Sequence, residues 1–306
     1  MQSVFEGFAT VGLVIGLGIL LAHLGVIDVD GQRVLSTLSF LVATPALLIV
    51  TIQGSELGAI FSRGMLASAI GVIVVVAGSV GLSIWRRETF GESVVGAMAA
   101  SYGNTGNLGL PIAAYVLGSA VLVAPTMLLQ LLFMQPVVLT CLDAAMSGRR
   151  LRVVDVVTRP FKNPITLGAF AGMFLVISDL TLPQWIYDPV ELVGNLAVPC
   201  MLLAYGVALR LGPLPGRGVS PVVMWGRIVL KLVVEPVATY LAGRYVFGLD
   251  GVTLLAVTVI AALPTAQNTF VIASRYRTGQ VMARDVIFVS TLLSVPVIAA
   301  VAYLLT

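Results

Sequence analysis

The residues best suited to recognising a ligand stand in two short polar stretches, Ser101-Tyr102-Gly103-Asn104-Thr105-Gly106-Asn107-Leu108-Gly109-Leu110-Pro111 and Leu263-Pro264-Thr265-Ala266-Gln267-Asn268. Neither holds a carboxylate, an amine or an imidazole. Both hold neutral amides and hydroxyls: Asn104, Thr105 and Asn107 in the first, Thr265, Gln267 and Asn268 in the second. Such groups donate hydrogen bonds to a carboxylate without the desolvation cost that a buried lysine carries. Their chemistry is orientation of an anion rather than bond breaking. A reaction would need a nucleophile beside a base, and the chain has no HExxH, no P-loop and no G-x-S-x-G. Cys141 and Cys200 stand alone in apolar surroundings and form no metal motif. An enzyme is therefore not expected, and neither a cofactor nor a metal is called for.

Each polar stretch interrupts an apolar segment long enough to cross a bilayer. Backbone groups released from a helix in hydrocarbon cost several kcal/mol each, roughly, unless protein or water satisfies them. A break survives where it is packed in protein or lines a cavity, and there it makes a binding site. Proline lacks an N–H and suits the first turn of a helix. One half-helix is thus expected to end near Tyr102 and another to start near Leu110 with Pro111, and Pro264 is expected to start the matching half-helix. Helix N-termini carry free N–H donors and about half a positive charge, which favours anions. A plainer reading stands beside this one: Gly103, Gly106 and Gly109 form a close helix-packing face and the asparagines are structural.

The elements that must hold these stretches follow from composition. The 306 residues are 58% hydrophobic and 10% charged, with mean hydropathy +1.05; soluble domains carry nearer a quarter charged residues, about 25%. About twenty apolar residues cross the roughly 30 Å hydrocarbon core. By that ruler the spans lie near 4–22, 34–52, 65–84, 93–117, 120–141, 164–178, 189–209, 222–247, 252–274 and 286–305. The first span has Glu6 and no basic flank, so it is expected to be retained rather than cleaved. Leu110-Pro111 and Leu263-Pro264 are 153 residues apart, and Thr44-Pro45 and Val198-Pro199 are 154 apart. Similar offsets in chain order indicate an internal repeat. Five spans per repeat is odd, so the second repeat enters from the opposite side. The expected class is all-α integral membrane: ten transmembrane helices as two inverted five-helix repeats, 1–141 and 164–306, joined by a basic cytoplasmic loop, 142–163, with broken, crossing helices 4 and 9. Paired discontinuous spans of this kind mark the substrate site of secondary transporters.

Charge gives orientation. Arg33, Arg86, Arg87, Arg149, Arg150, Arg152, Arg159, Lys162, Arg210, Arg217, Arg275, Arg277 and Arg284 fall on one face, against Arg63 and Arg244 on the other. That face is expected to be cytoplasmic, with both termini outside. The formal charge of +3 reflects this topology, and no nucleic-acid partner is expected. Within the eighth span Arg227, Lys231 and Glu235 recur at i, i+4 and i+8 and share a face. Intramembrane charges are expensive and point to coupling or charge balance. The alternatives are that Arg227 snorkels to the interface and that Lys231–Glu235 is a structural bridge.

At the two breaks, Ser101 to Ile112 and Leu263 to Tyr276 resemble the signature segments of the auxin efflux carrier family, which includes PIN-type auxin exporters and malate or malonate permeases. The resemblance implies a ten-helix fold similar to bile-acid symporters, with helices 4 and 9 crossing at their prolines. It implies a scaffold of helices 1, 2, 6 and 7, a moving transport unit of helices 3–5 and 8–10, elevator-type alternating access and a homodimer. Asparagines beside the crossing would bind the substrate carboxylate, mapping onto Asn104 or Asn107 and Asn268. The short central loop fits a prokaryotic inner-membrane carrier. The expected ligand is a small mono- or dicarboxylate bound by Asn104, Thr105, Asn107, Gln267 and Asn268, with Pro111, Pro264 and Thr265 at the crossing. Coupling to H⁺, Na⁺ or neither is open, and a ligand sensor or a channel on the same fold is the alternative.

Overall fold

The structure is a computed structural model. It describes residues 2–54, 62–109, 112–113, 117, 119–147, 164–212 and 216–305. Pro111 and most of the basic central loop lie outside the described residues, as does the side chain of Asn107.

Among the described residues every regular element is a helix. The helices are α1 (Gln2–His23), α2 (Val29–Gln53), α3 (Arg63–Arg86), α4 (Phe90–Ser101) and α5 (Ala124–Met146). They continue as α6 (Pro164–Ile177), α7 (Gln184–Leu211), α8 (221–246), α9 (Gly251–Ala261), α10 (Asn268–Tyr276) and α11 (Gln280–Leu305). Five of these, α2, α3, α5, α7 and α11, are long and apolar enough to cross a membrane. Local signals set several starts. The Asp28 carboxylate caps α2 at Gly31 N–H, Ser62 caps α3 at Met65 N–H, and Thr89 with Glu92 forms a reciprocal capping box on α4.

Packing follows the small residues. A Cβ on Gly18 would lie 2.5 Å from the Leu203 carbonyl oxygen, and one on Gly206 would lie 2.2 Å from that of Ile15, so α1 and α7 meet backbone to backbone. Gly168 of α6 meets Pro45 of α2 in the same way. In consequence α1, α2, α6 and α7 pack chiefly on one another, while α3 packs on α4, α8 and α9, and α11 on α8, α9 and α10.

Three helices contain a wide π-type turn directly before a proline: Ser39–Ala43 before Pro45, Leu129–Met134 before Pro136, and Leu230–Val234 before Pro236. A proline cannot donate to the turn before it and its ring crowds the preceding carbonyls, so the helix widens there. Two of these turns carry Gln130 and Lys231 into the interior, where both are buried.

One expectation about charge is corrected. Arg284, counted above with the loop cations, is 2% exposed inside α11. Its Nη2 donates to Asp285 Oδ1 at 2.5 Å, and Asp285 also accepts from Gly216 N–H at 2.9 Å. A guanidinium with its own carboxylate can be buried there, so it says nothing of topology.

Candidate functional site at the crossing of two broken spans

The α4 helix ends at Ser101, and Tyr102 turns extended with φ −94° and ψ 95°. The other break follows α9 at Ala261 and lasts until α10 begins at Asn268. Between them the two unwound segments run antiparallel, with Gly103 opposite Thr265. Asn104 N–H donates to the Pro264 carbonyl at 2.8 Å, and Ala266 N–H donates to that of Tyr102 at 2.9 Å. Each break thus satisfies backbone groups of the other, which is how two irregular segments can coexist in an apolar surrounding.

The half-helix after Pro264 does not restart where the proline rule places it, and the expected start at Leu110 and Pro111 lies outside the described residues. Helical turns resume at Thr105–Gly109, ahead of Pro111, and at Asn268, beyond Pro264. Tertiary pairing takes the Pro264 carbonyl for Asn104, so Pro264 belongs to the extended crossing and not to a first turn. The amides that meet there, Asn104 and Gln267, are 163 residues apart, out of step with the 153 that separate the two Leu-Pro pairs.

A cavity of about 260 Å³ opens on this crossing. Gly103, Asn104, Thr105, Gly106, Gln267 and Asn268 line it, with Tyr102, Gln130 and Gln135 completing its polar wall and Leu48 and Met201 on its apolar side. Thr265 and Pro264 are not on its surface. Thr265 is fully buried; its Oγ1 donates to the Ala99 carbonyl at 2.6 Å and its N–H donates to Ser290 Oγ at 3.2 Å. Its hydroxyl fastens the crossing to α4.

Three side-chain hydrogen bonds join the polar wall. Asn104 Nδ2 donates to Gln267 Oε1 at 2.8 Å, Tyr102 Oη to Gln135 Oε1 at 2.7 Å, and Thr105 Oγ1 to Gln130 Oε1 at 2.8 Å. Three glutamine carbonyls are thereby occupied by donors from the first break. The Nε2 groups of Gln135 and Gln267 are buried and have no hydrogen-bond partner among the described residues. Asn268 Oδ1, an acceptor, is buried beside the same cavity and likewise has no partner among the described residues; a buried polar group left so costs about 1–3 kcal/mol. The α10 N-terminus faces the same region with no side-chain cap, adding its partial positive charge. Tyr102, Gln130 and Gln135 were missed in the sequence. Their signal was present: two glutamines inside an apolar fifth span, where an unpaired amide is costly.

The charged face of α8 lies behind this wall. Lys231 Nζ donates to Glu235 Oε2 at 2.7 Å and to the Ala261 carbonyl, at the end of α9, at 2.9 Å. It also stands 3.4 Å from where a Cβ on Gly103 would be. Neither it nor Glu235 lines the cavity. Arg227 is fully buried rather than snorkelling; its guanidinium clasps both oxygens of Glu88 and reaches Ser83 Oγ at 3.2 Å. Among the described residues no cluster of His, Cys, Asp and Glu could hold a metal.

The sequence model of a family described as "Membrane transport protein" matches residues 3–147 and 149–302. The chain belongs to this family, the auxin efflux carriers. It is also 27% identical over 299 residues to a Rhizobium meliloti (strain 1021) protein named "Putative malonate transporter", covering 94% of this chain and 92% of that one. Membership in a membrane transport family, with the apolar helices above, makes this carrier-family chain a multi-pass membrane protein.

Proposed function

We propose that the protein is a secondary active transporter or facilitator of small organic anions, mono- or dicarboxylates, with its site at the crossing of the two broken spans. The observation that carries this reading is the pair of buried, unpartnered amide donors, Gln135 Nε2 and Gln267 Nε2, beside a cavity of about 260 Å³. That volume is below the roughly 300–1,000 Å³ typical of drug-sized ligands, which suits a small anion. Neutral donors satisfy a carboxylate on arrival and release it without leaving a bare buried charge. The relative's printed name, with its reference to malonate, agrees with this class.

An elevator-type movement fits the packing. The helices α1, α2, α6 and α7 serve as scaffold, while α3–α5 and α8–α11 carry the crossing. Arrangement of the chain as two inverted five-helix repeats, 1–141 and 164–306, is supported by the antiparallel meeting of the two breaks. Both termini are placed outside, on the weight of basic residues in the opposite loops.

The test is uptake of labelled malonate, malate and indole-3-acetate into proteoliposomes, with and without imposed pH and sodium gradients. Saturable uptake of a carboxylate, reduced about tenfold or more in Gln135→Leu, is the expected result, since a charge-assisted hydrogen bond is worth about 1.5–3 kcal/mol. Saturable binding without flux would point to a ligand sensor, and flux that neither saturates nor shows counterflow to a channel.

A further inference from the structure

A second polar cleft, of about 340 Å³, lies between the first turns of α2 and the C-terminal end of α10. Arg33, Arg275 and Arg277 line it together with Gln32, Ser36 and Ser274. In the sequence these arginines are topological signals on two separate loops; the fold brings all three, each exposed, to one cavity.

Their pairing is incomplete. Arg33 has a carboxylate partner, Asp30, at 2.9 Å in an exposed pair, and such pairs are weak, typically about 0–1 kcal/mol. Arg275 and Arg277 form no ion pair among the described residues. The guanidinium of Arg275 sits 5.9 Å over the Phe40 ring, an arrangement that holds the cation in place without neutralising it. Arg277 occupies the left-handed position that ends α10, φ 51°, where glycine or asparagine is the ordinary choice. The Ser274 Oγ is buried with no partner among the described residues. Like charges gathered around a polar cavity repel one another unless an anion joins them.

We infer that this cleft is a second anion site, for small carboxylate- or phosphate-bearing ligands, distinct from the crossing. The two sites stand at opposite ends of α10. Its nine residues span about 13 Å at about 1.5 Å per residue, with Asn268 at one end and Arg275 in the last turn at the other. Phe40 lies beside the cleft, its ring edge-on to Tyr276 at 6.2 Å, and Tyr276 Oη donates to Asp143 Oδ1 at 2.7 Å. Because Arg33 belongs to α2 and the other two arginines to the end of α10, a bound anion ties the scaffold to the moving part. The inference rests on the transporter reading for that mechanical consequence, and not for binding itself.

Equilibrium binding of labelled malonate to purified full-length protein tests it. In neutral detergent, wild type binds two malonates per chain and inorganic phosphate displaces one of them. Arg275→Gln with Arg277→Gln weakens that one about tenfold or more, and Arg275→Lys with Arg277→Lys largely restores it. Gln267→Leu removes the other malonate and leaves the phosphate-sensitive one. A double arginine variant that still binds both with unchanged affinity overturns the second site, as does equal displacement by the neutral diamide of malonate. Loss of neither malonate in Gln267→Leu counts against the crossing site alone, so the two failures are distinguishable. Nanodiscs with and without anionic lipid separate the sources: if only anionic lipid abolishes the phosphate-sensitive malonate, the occupant is a lipid headgroup, and if it persists in both, a soluble anion.

Discussion

Asn104 Nδ2 donates to Gln267 Oε1 at 2.8 Å, joining the side chains of the two broken spans directly across their crossing. The bond has a directional consequence: with its oxygen occupied, Gln267 presents its amide N–H groups as free donors. In the proposed site Asn104 would act on a ligand through Gln267 as well as by lining the cavity. Asn104→Ala frees the Gln267 oxygen, and the amide is then able to turn its acceptor toward the anion. The expected outcome is a rise in KM for a carboxylate of about tenfold or more, from loss of charge-assisted hydrogen bonding worth about 1.5–3 kcal/mol, together with a stability loss of about 1–3 kcal/mol because the buried Gln267 oxygen loses its donor. Proteoliposome kinetics check it, and an unchanged KM would remove Asn104 from the site.

Thr265 gives the opposite prediction, although it stands in the same stretch. Its hydroxyl is spent on the Ala99 carbonyl at 2.6 Å and it does not line the cavity. Thr265→Val keeps the shape and deletes that bond, leaving a buried carbonyl less satisfied. Stability should fall by about 1–3 kcal/mol while KM for the remaining folded protein stays the same. Thermal unfolding in detergent measured beside transport kinetics separates the two effects.

The contrast between these neighbours shows what was legible in the sequence. Glycines, amides and a proline in the middle of apolar spans stand out sharply, so the breaks and their involvement with each other could be read. Which side chains face the cavity could not, because that depends on the register in which two extended segments meet. Gly103 opposes Thr265, and this pairing draws Pro264 out of the helix start that local rules assign to it. The turns that widen α5 and α8 ahead of Pro136 and Pro236 rotate Gln130 and Lys231 inward, a local change that an undistorted 3.6-residue period does not describe. Partners from distant parts of the chain were equally hidden: Arg227 finds Glu88 at a separation of 139 residues, and the i, i+4 pattern of α8 only reports Lys231 and Glu235.

The Arg227–Glu88 pair gives a packing prediction. A Cβ on Gly96 would lie 2.1 Å from Arg227 Nη2, so the absence of a side chain at Gly96 is what admits the guanidinium beside α4. Gly96→Ala must displace a buried cation that is hydrogen-bonded to both Glu88 and Ser83. Removing one partner of a buried pair costs about 3–5 kcal/mol, and Glu88→Ala should approach that loss. Arg227→Met combined with Glu88→Leu should be milder than Glu88→Ala alone, because no unpaired charge is left. Unfolding midpoints of the three variants test the order; if the double variant is the least stable, the pair contributes more than the burial of its own charges.

Lys231 ties α8 to the end of α9: its ammonium group binds Glu235 at 2.7 Å and the terminal carbonyl of α9 at 2.9 Å. The carbonyl is one that the break in the ninth span leaves without a helical partner, so the cation helps to hold the crossing open as well as neutralising Glu235. Lys231→Met leaves a bare carboxylate and a bare carbonyl in a dry place and should destabilise by about 3–5 kcal/mol. Adding Glu235→Leu removes the unpaired charge and should restore much of the stability, leaving only the orphaned Ala261 carbonyl. If the pair also responds to the driving gradient, the double variant will still exchange labelled malonate across the membrane but will no longer accumulate it when a pH gradient is imposed. Accumulation at the wild-type level in the double variant would make the pair a structural bridge and nothing more. Loss of both exchange and accumulation, with stability restored, would place Lys231 in ligand binding through the wall formed by Gly103.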